Sequence, residues 1–231
     1  VAGLQACRRV MVLAAAVVDW IAVAKGWRKV EVITKPLTLA ALLVMFLLSM
    51  LEYNGANIFP MLFVAIGLAF CLAGDVFLML AERWFMAGLI AFLMGHIGYI
   101  LGLNIPLPNV SPIWSFGLAI LIALISSRVL RPIITAVRNQ GKVRLSWAIL
   151  IYGMVISIML LSALLTLYTK TWETLPAGLV AGGASLFFFS DVILAWNKFV
   201  TPIKYGRVIN MILYHLGQIS LAVGVILQFT G

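Results

Sequence analysis

From Trp84 to Ser127 the chain runs through 44 residues without one Asp, Glu, Lys or Arg. A water-soluble fold cannot cover so long an uncharged, mostly apolar stretch, whereas two membrane-crossing helices of about 20 residues each absorb it. The rest of the composition agrees. Of the 231 residues 64% are hydrophobic and 10% charged, against roughly 45–50% and about 25% in a globular domain. Mean hydropathy is +1.15. A length that ordinarily suggests one or two soluble domains therefore reads as a single all-α, polytopic membrane domain over residues 1–231.

The net charge is +9, from 16 Lys and Arg against 7 Asp and Glu. In a soluble chain that balance would suggest nucleic acid. Here the charges form short islands between apolar runs, the pattern of the positive-inside rule and of attraction to anionic bilayer lipid. Nucleic acid is not an expected partner. Cys7 and Cys71 make no disulfide framework, because Cys71 falls inside an apolar span. Arg8-Arg9 before an apolar run resembles the start of a signal peptide. Asp19 interrupts that run and further spans follow, so a first membrane helix is the expectation.

Reading from charge island to charge island gives about eight transmembrane helices, near 9–24, 36–53, 57–80, 84–104, 112–131, 146–169, 175–196 and 207–229. The first is the shortest. Pro36, Pro60, Pro112 and Pro176 sit at or near span starts, where a missing N–H costs little. Residues 105–112, with three prolines, form an extended connector. The longest connection is 131–146, so no soluble domain fits between spans.

Basic residues divide unevenly between the two sides. The connections after spans one, three, five and seven carry 13: Lys25, Arg28, Lys29, Lys35, Arg83, Arg128, Arg131, Arg138, Lys142, Arg144, Lys198, Lys204 and Arg207. The opposite side carries Arg8, Arg9 and Lys170. This split predicts that the basic side faces the cytoplasm of a bacterial inner membrane or an endoplasmic-reticulum membrane. With eight spans both termini lie on the far side; without the first, the N-terminus moves to the cytoplasm.

Two segments match at a separation of 116 residues: Gly74-Asp75-Val76-Phe77-Leu78 and Ser190-Asp191-Val192-Ile193-Leu194. Each precedes a histidine motif, His96-Ile97-Gly98 and His215-Leu216-Gly217. The pattern suggests two parallel four-helix repeats, 9–104 and 112–229, related by an axis along the membrane normal. Asp75 and Asp191 would then lie at equal depth, about five residues or roughly 7 Å inside their helix ends.

A carboxylate inside a membrane costs several kcal/mol, which makes Asp75 and Asp191 the leading functional candidates. Asp19, close to Lys25, is the weaker one. Glu31, Glu52, Glu82 and Glu173 sit in connections and are expected to be solvated. His96 and His215 are equally suited to interhelical hydrogen bonding and to a role in the site. Two histidines exclude a three-His zinc centre. A two-His, one-Asp site stays open, although a mid-span His and a near-surface Asp would differ by roughly 10 Å in height.

Lys35, Lys198 and Arg207 either snorkel at the cytoplasmic helix ends or seat a lipid phosphate. Asn197, Tyr99, Tyr214 and Gln218 can hydrogen-bond a glycerol backbone or position water. Gly182-Gly183 suits close helix packing, and Phe187-Phe188-Phe189 is expected to face lipid or an acyl chain. No phosphate loop, dinucleotide fingerprint, nucleophile elbow or H-E-x-x-H occurs.

Five of these motifs, in order, carry a resemblance. Lys35-Pro36, Gly74-Asp75 through Leu78, Gly95-His96 through Tyr99, Ser190-Asp191 through Asn197-Lys198-Phe199, and Tyr214 with Gln218 resemble the lysoplasmalogenase (YhhN-like) membrane protein family from about residue 30 to 230. The resemblance implies a hydrolase that cleaves the sn-1 vinyl ether of lysoplasmalogens. Its products would be a fatty aldehyde and glycerophosphoethanolamine or glycerophosphocholine. The implied partners are a lysophospholipid substrate and water, with no cofactor.

The chemistry of the residues is compatible. Vinyl ether hydrolysis begins with protonation of the β-carbon to an oxocarbenium ion; water adds, and the hemiacetal collapses. One protonated acid and one carboxylate suffice, as in glycosidases. Asp75 and Asp191 are the expected acid/base pair, with Lys35, His96, Tyr99, Asn197, Lys198, Tyr214 and Gln218 as candidate substrate contacts. Three alternatives remain at this point: a proton-coupled small-molecule or lipid transporter, a zinc-dependent intramembrane lipid hydrolase, and a purely structural membrane protein.

Overall fold

A computed structural model describes residues 2–230, with side chains from Arg8 onward. The described residues form eight α-helices and no strand: α1 (Ala2–Ala24), α2 (Arg28–Leu51), α3 (Phe59–Met79), α4 (Phe85–Leu103), α5 (Pro112–Asn139), α6 (Val143–Leu165), α7 (Thr174–Phe199) and α8 (Gly206–Thr230). Short 3-10 turns at Glu82–Trp84 and Thr166–Tyr168 adjoin α4 and α6. Seven helices, α2 to α8, are long and apolar enough to cross a membrane. Among the described residues α1, which carries Arg8, Arg9 and Asp19, is not one of them.

Several boundaries differ from the sequence reading because charged and proline-containing segments are helical. α2 begins at Arg28, so Pro36 lies inside the helix rather than at its start. α5 passes through Pro132 to Asn139, and the expected 131–146 connection shrinks to a turn closed by Gly141 at φ +73°. That φ is left-handed, open to glycine without a Cβ penalty; Gly26 closes the α1–α2 turn in the same way at φ +70°. Backbone hydrogen bonds satisfied within the helix are the cheapest state near lipid, and they override the local breakers.

Sequential helices pack against one another from α1 to α4 and again from α5 to α8, and α4 against α6 and α2 against α8 join the two halves. The main apolar core runs from Val12 on α1 to Ile226 on α8, and a smaller cluster of Ile133, Val137, Ile149 and Phe199 joins α5 to α6 and α7. α5 is peripheral, contacting α6 and α7.

The α3–α4 and α7–α8 hairpins cross alike, on glycines that admit backbone contact. A Cβ at Gly67 would stand 2.9 Å from the Gly95 carbonyl oxygen, and one at Gly183 would stand 2.7 Å from that of Gly217. A Cβ at Gly102 would meet the Pro60 carbonyl at 2.7 Å, and one at Gly224 that of Pro176 at 2.9 Å. In these crossings Gly95 corresponds to Gly217, which sets His96 level with Gln218. The match of His96 to His215 read from the sequence is therefore displaced by about one helical turn. Gly182, expected to share in close packing, has nothing within 4 Å.

Candidate active site

Asp191 lies on α7, eight residues before the helix end, because α7 continues through Asn197 and Lys198 to Phe199. Asp75 lies four residues before the end of α3. Asp75 is within one residue of the expected depth of about five, and Asp191 lies three residues deeper than expected.

Asp191 ends a three-residue chain drawn from three helices, with Tyr152 at its centre. Tyr152 on α6 donates its hydroxyl proton to Asp191 Oδ2. His96 Nε2 on α4 stands 2.9 Å from the Tyr152 oxygen and 3.6 Å from Asp191 Oδ2. A tyrosine has one proton to give, so with that proton on Asp191 its oxygen accepts from His96 Nε2–H. Among the described residues His96 Nδ1 has no hydrogen-bond partner. The ring is fixed by packing 4.8 Å from Phe187 and 5.3 Å from Tyr152. The separation in height expected between a mid-span histidine and an aspartate near the helix end does not exist, because Asp191 is the deeper residue.

Asp75 is completely buried and doubly held. Lys35 Nζ lies 2.9 Å from Oδ1, and the Tyr214 hydroxyl donates to Oδ2 at 2.8 Å. Lys35 also lies 5.3 Å from the Tyr214 ring centroid. With side-chain exposures of 5% and 0%, Lys35 and Asp75 form a desolvated ion pair, in which each charge is tolerable only through the other.

Both groups border one narrow cavity of about 80 Å³. Its walls are apolar, with Phe85, Leu89 and Phe92 on α4, Ile133 on α5, Ile149 and Ile156 on α6, Phe188 on α7 and Met211 on α8. The polar groups facing it include Asp191, Tyr152, Tyr214, Lys35 and Lys198. Asp191 reaches the cavity directly, its side chain 15% exposed; Asp75 reaches it through Lys35 and Tyr214. Of the run expected to face lipid or an acyl chain, Phe187 and Phe188 are buried, Phe188 on the cavity wall, while Phe189 is exposed.

The remaining sequence candidates divide. Tyr99 and Gln218 are buried off the cavity, where the Tyr99 hydroxyl donates to Gln218 Oε1 at 2.6 Å and ties α4 to α8. Asn197 is also off the cavity: its Oδ1 accepts the Ile203 N–H at 2.6 Å and shapes the turn into α8. Arg207 makes two bonds, 2.8 and 2.7 Å, to the carboxylate of Glu31. Glu31, expected to be solvated, is only 3% exposed. Glu52 pairs with Arg8 at 3.1 Å; Glu82 and Glu173 are exposed. Asp19 accepts from Thr34 at 2.6 Å, and His215 Nδ1 accepts from Trp20 at 3.1 Å.

Cys71 is buried and unbridged; the side chain of Cys7 lies outside the described residues. Among the described residues no three His, Cys, Asp or Glu converge on a metal position, and the zinc alternative gains no donor set. Tyr152 escaped the sequence reading altogether. Its only signal there is a hydroxyl in an otherwise apolar span, which is ambiguous until α4 and α7 flank it.

The chain is similar to curated proteins named lysoplasmalogenase TMEM86B. The pig protein is 32% identical over 153 residues, 66% of this chain and 58% of that protein. The human protein is 27% identical over 139 residues, 58% of this chain and 51% of that one. The rat protein is 43% identical over 58 residues, 25% of each chain. The chain thus aligns with little more than half the length of its longer matches. No solved structure matches it. The YhhN family model matches residues 30–225, from the start of α2 to the last turns of α8, and the chain belongs to the YhhN family.

Proposed function

We propose that this protein is a membrane-embedded hydrolase of lysoplasmalogens that cleaves the sn-1 vinyl ether by two-aspartate acid/base chemistry. The observation that carries the reading is Asp191, a carboxyl on the wall of an apolar cavity, bonded to Tyr152 and close to His96. Family membership and the names of the relatives support the reaction class.

Among the described residues Asp191 pairs with no Lys or Arg, and Tyr152 occupies Oδ2. It serves as the acid, giving a proton from Oδ1 to the β-carbon and leaving an oxocarbenium ion beside the new carboxylate. Asp75, with Lys35 as counter-ion, serves as the carboxylate base. Water adds to the α-carbon as its proton passes to the Tyr214 oxygen and that of Tyr214 passes to Asp75. The hemiacetal returns its hydroxyl proton to Asp191, while the proton held at Asp75 goes back through Tyr214 to the departing glycerol oxygen. The C–O bond breaks, aldehyde and alcohol form, and both carboxyls regain their starting states. Apolar walls limit water to what the reaction consumes.

The positive-inside rule assigns the basic end of the bundle, with Lys198 in the last turn of α7, to the cytoplasmic side. The test is aldehyde release from a lysoplasmalogen by purified protein in detergent, with and without a chelator. Asp75→Asn and Asp191→Asn are each expected to lower the rate at least about 10²-fold, with the wild type resistant to chelation. Full activity in both variants overturns the acid/base assignment. No release by folded wild type overturns the hydrolase reading and favours transport.

A further inference from the structure

We infer that a second, polar chamber bounded by Arg28, Glu82 and Lys198 receives the zwitterionic phosphate-amine headgroup of a single-chain lipid whose vinyl ether lies at Asp191. The inference rests on the lysophospholipid reading above and adds to it the residues that hold the headgroup.

The chamber, about 250 Å³, lies where the start of α2, the α3–α4 turn and the last turn of α7 meet. It shares Leu78, Phe85 and Lys198 with the apolar cavity, so the two spaces adjoin at those side chains. Lys198 stands at the junction, its Nζ 4.6 Å from the Phe85 ring centroid and 5.9 Å from that of Phe199. Such ring faces hold an ammonium in place at modest cost in solvation.

Its charges are two cations and one carboxylate. Arg28 makes one 3.2 Å contact with Glu31 and keeps the other donors of its guanidinium. Glu82 lies 3.6 Å from Lys198 Nζ and is largely exposed. A phosphate bridging Arg28 and Lys198, with its amine on Glu82, satisfies all three. The other cations expected to seat phosphate are engaged: Lys35 by Asp75 and Arg207 by Glu31.

Lengths agree as well. Lys198 follows Asp191 by seven residues on one face of α7, two turns or about 10 Å. Seven bonds separate the vinyl β-carbon of a lysoplasmalogen from its phosphorus, about 8 Å at the extension per bond of an extended chain. A phosphate at Lys198 therefore leaves the β-carbon at Asp191.

The experiment measures binding, so that it does not depend on turnover. Three uncleavable 1-O-alkyl lipids are titrated into purified full-length protein in detergent and followed by tryptophan fluorescence: alkyl-glycerophosphoethanolamine, alkyl-glycerophosphate and alkylglycerol. Arg28→Gln and Lys198→Met are each expected to weaken the phosphoethanolamine lipid about tenfold relative to alkylglycerol, the loss of one charge-assisted contact. Glu82→Gln is expected to shift preference severalfold from the phosphoethanolamine lipid towards the anionic phosphate lipid. Equal changes for all three lipids, or none, in variants that retain the wild-type melting temperature overturn the chamber. Headgroup-selective binding without aldehyde release from a vinyl ether sustains the chamber and overturns only the hydrolase reading.

Discussion

Lys35 and Asp75 show what a buried ion pair does in this bundle. With both side chains almost wholly buried at 2.9 Å, removing one strands the other, a loss of about 3–5 kcal/mol. Lys35→Met is therefore expected to lower the detergent melting temperature sharply, and Lys35→Met with Asp75→Asn to recover most of it while staying inactive. Additive losses in that double variant would show that the two are uncoupled. Tyr152→Phe keeps the ring beside His96 and removes only the hydroxyl that Asp191 accepts. Its kcat should fall about 10²-fold with KM little changed, and an unchanged kcat would remove Tyr152 from the chemistry. The aspartates stood out in the sequence because a carboxylate in an apolar span is expensive. Tyr152 did not, since a lone tyrosine costs little there and its partners lie 56 and 39 residues away.

At the scale of helices, contact between backbones sets the geometry of the site. The α7–α8 crossing leaves no room at Gly183, where a Cβ would stand 2.6 Å from the Leu221 nitrogen, whereas Gly182 faces open space. Gly183→Val should cost about 1–3 kcal/mol through a forced shift of α8, and Gly182→Ala should melt at or slightly above wild type. Equal melting temperatures would mean that the crossing is soft. This crossing, on the sequence side, was half legible: paired glycines and aspartates were visible, but the histidine match pointed one turn off. Motif similarity aligns letters along a chain, while packing aligns the positions that can approach. The extension of α2 back to Arg28 was likewise hidden, because charge and Pro36 argue locally against a helix that Glu31, buried under Arg207, holds in place.

For the whole molecule, the sequence assigns thirteen of sixteen basic residues to the side that carries the α3–α4 and α5–α6 turns. In a chain with both native cysteines replaced by serine, Gln140→Cys should react with a membrane-impermeant maleimide only in inverted vesicles. Asn54→Cys should react only from the outside of intact cells. The reverse pattern would turn the site to the other face. Amino-acid order by itself determined that this is a multi-span helical membrane protein, where most of its helix ends fall to within about a turn, and that Asp75 and Asp191 are costly enough to need a reason, though not that Glu31 is buried as well. Those are consequences of solvation and of local hydrogen bonding. Tertiary structure alone decided which residues meet: that Lys35 serves Asp75, that Tyr152 and His96 serve Asp191, and that Asn197, Tyr99 and Gln218 brace the bundle away from the cavity. Contacts between helices remote in sequence depend on crossing angle and close approach, and a one-dimensional pattern carries neither.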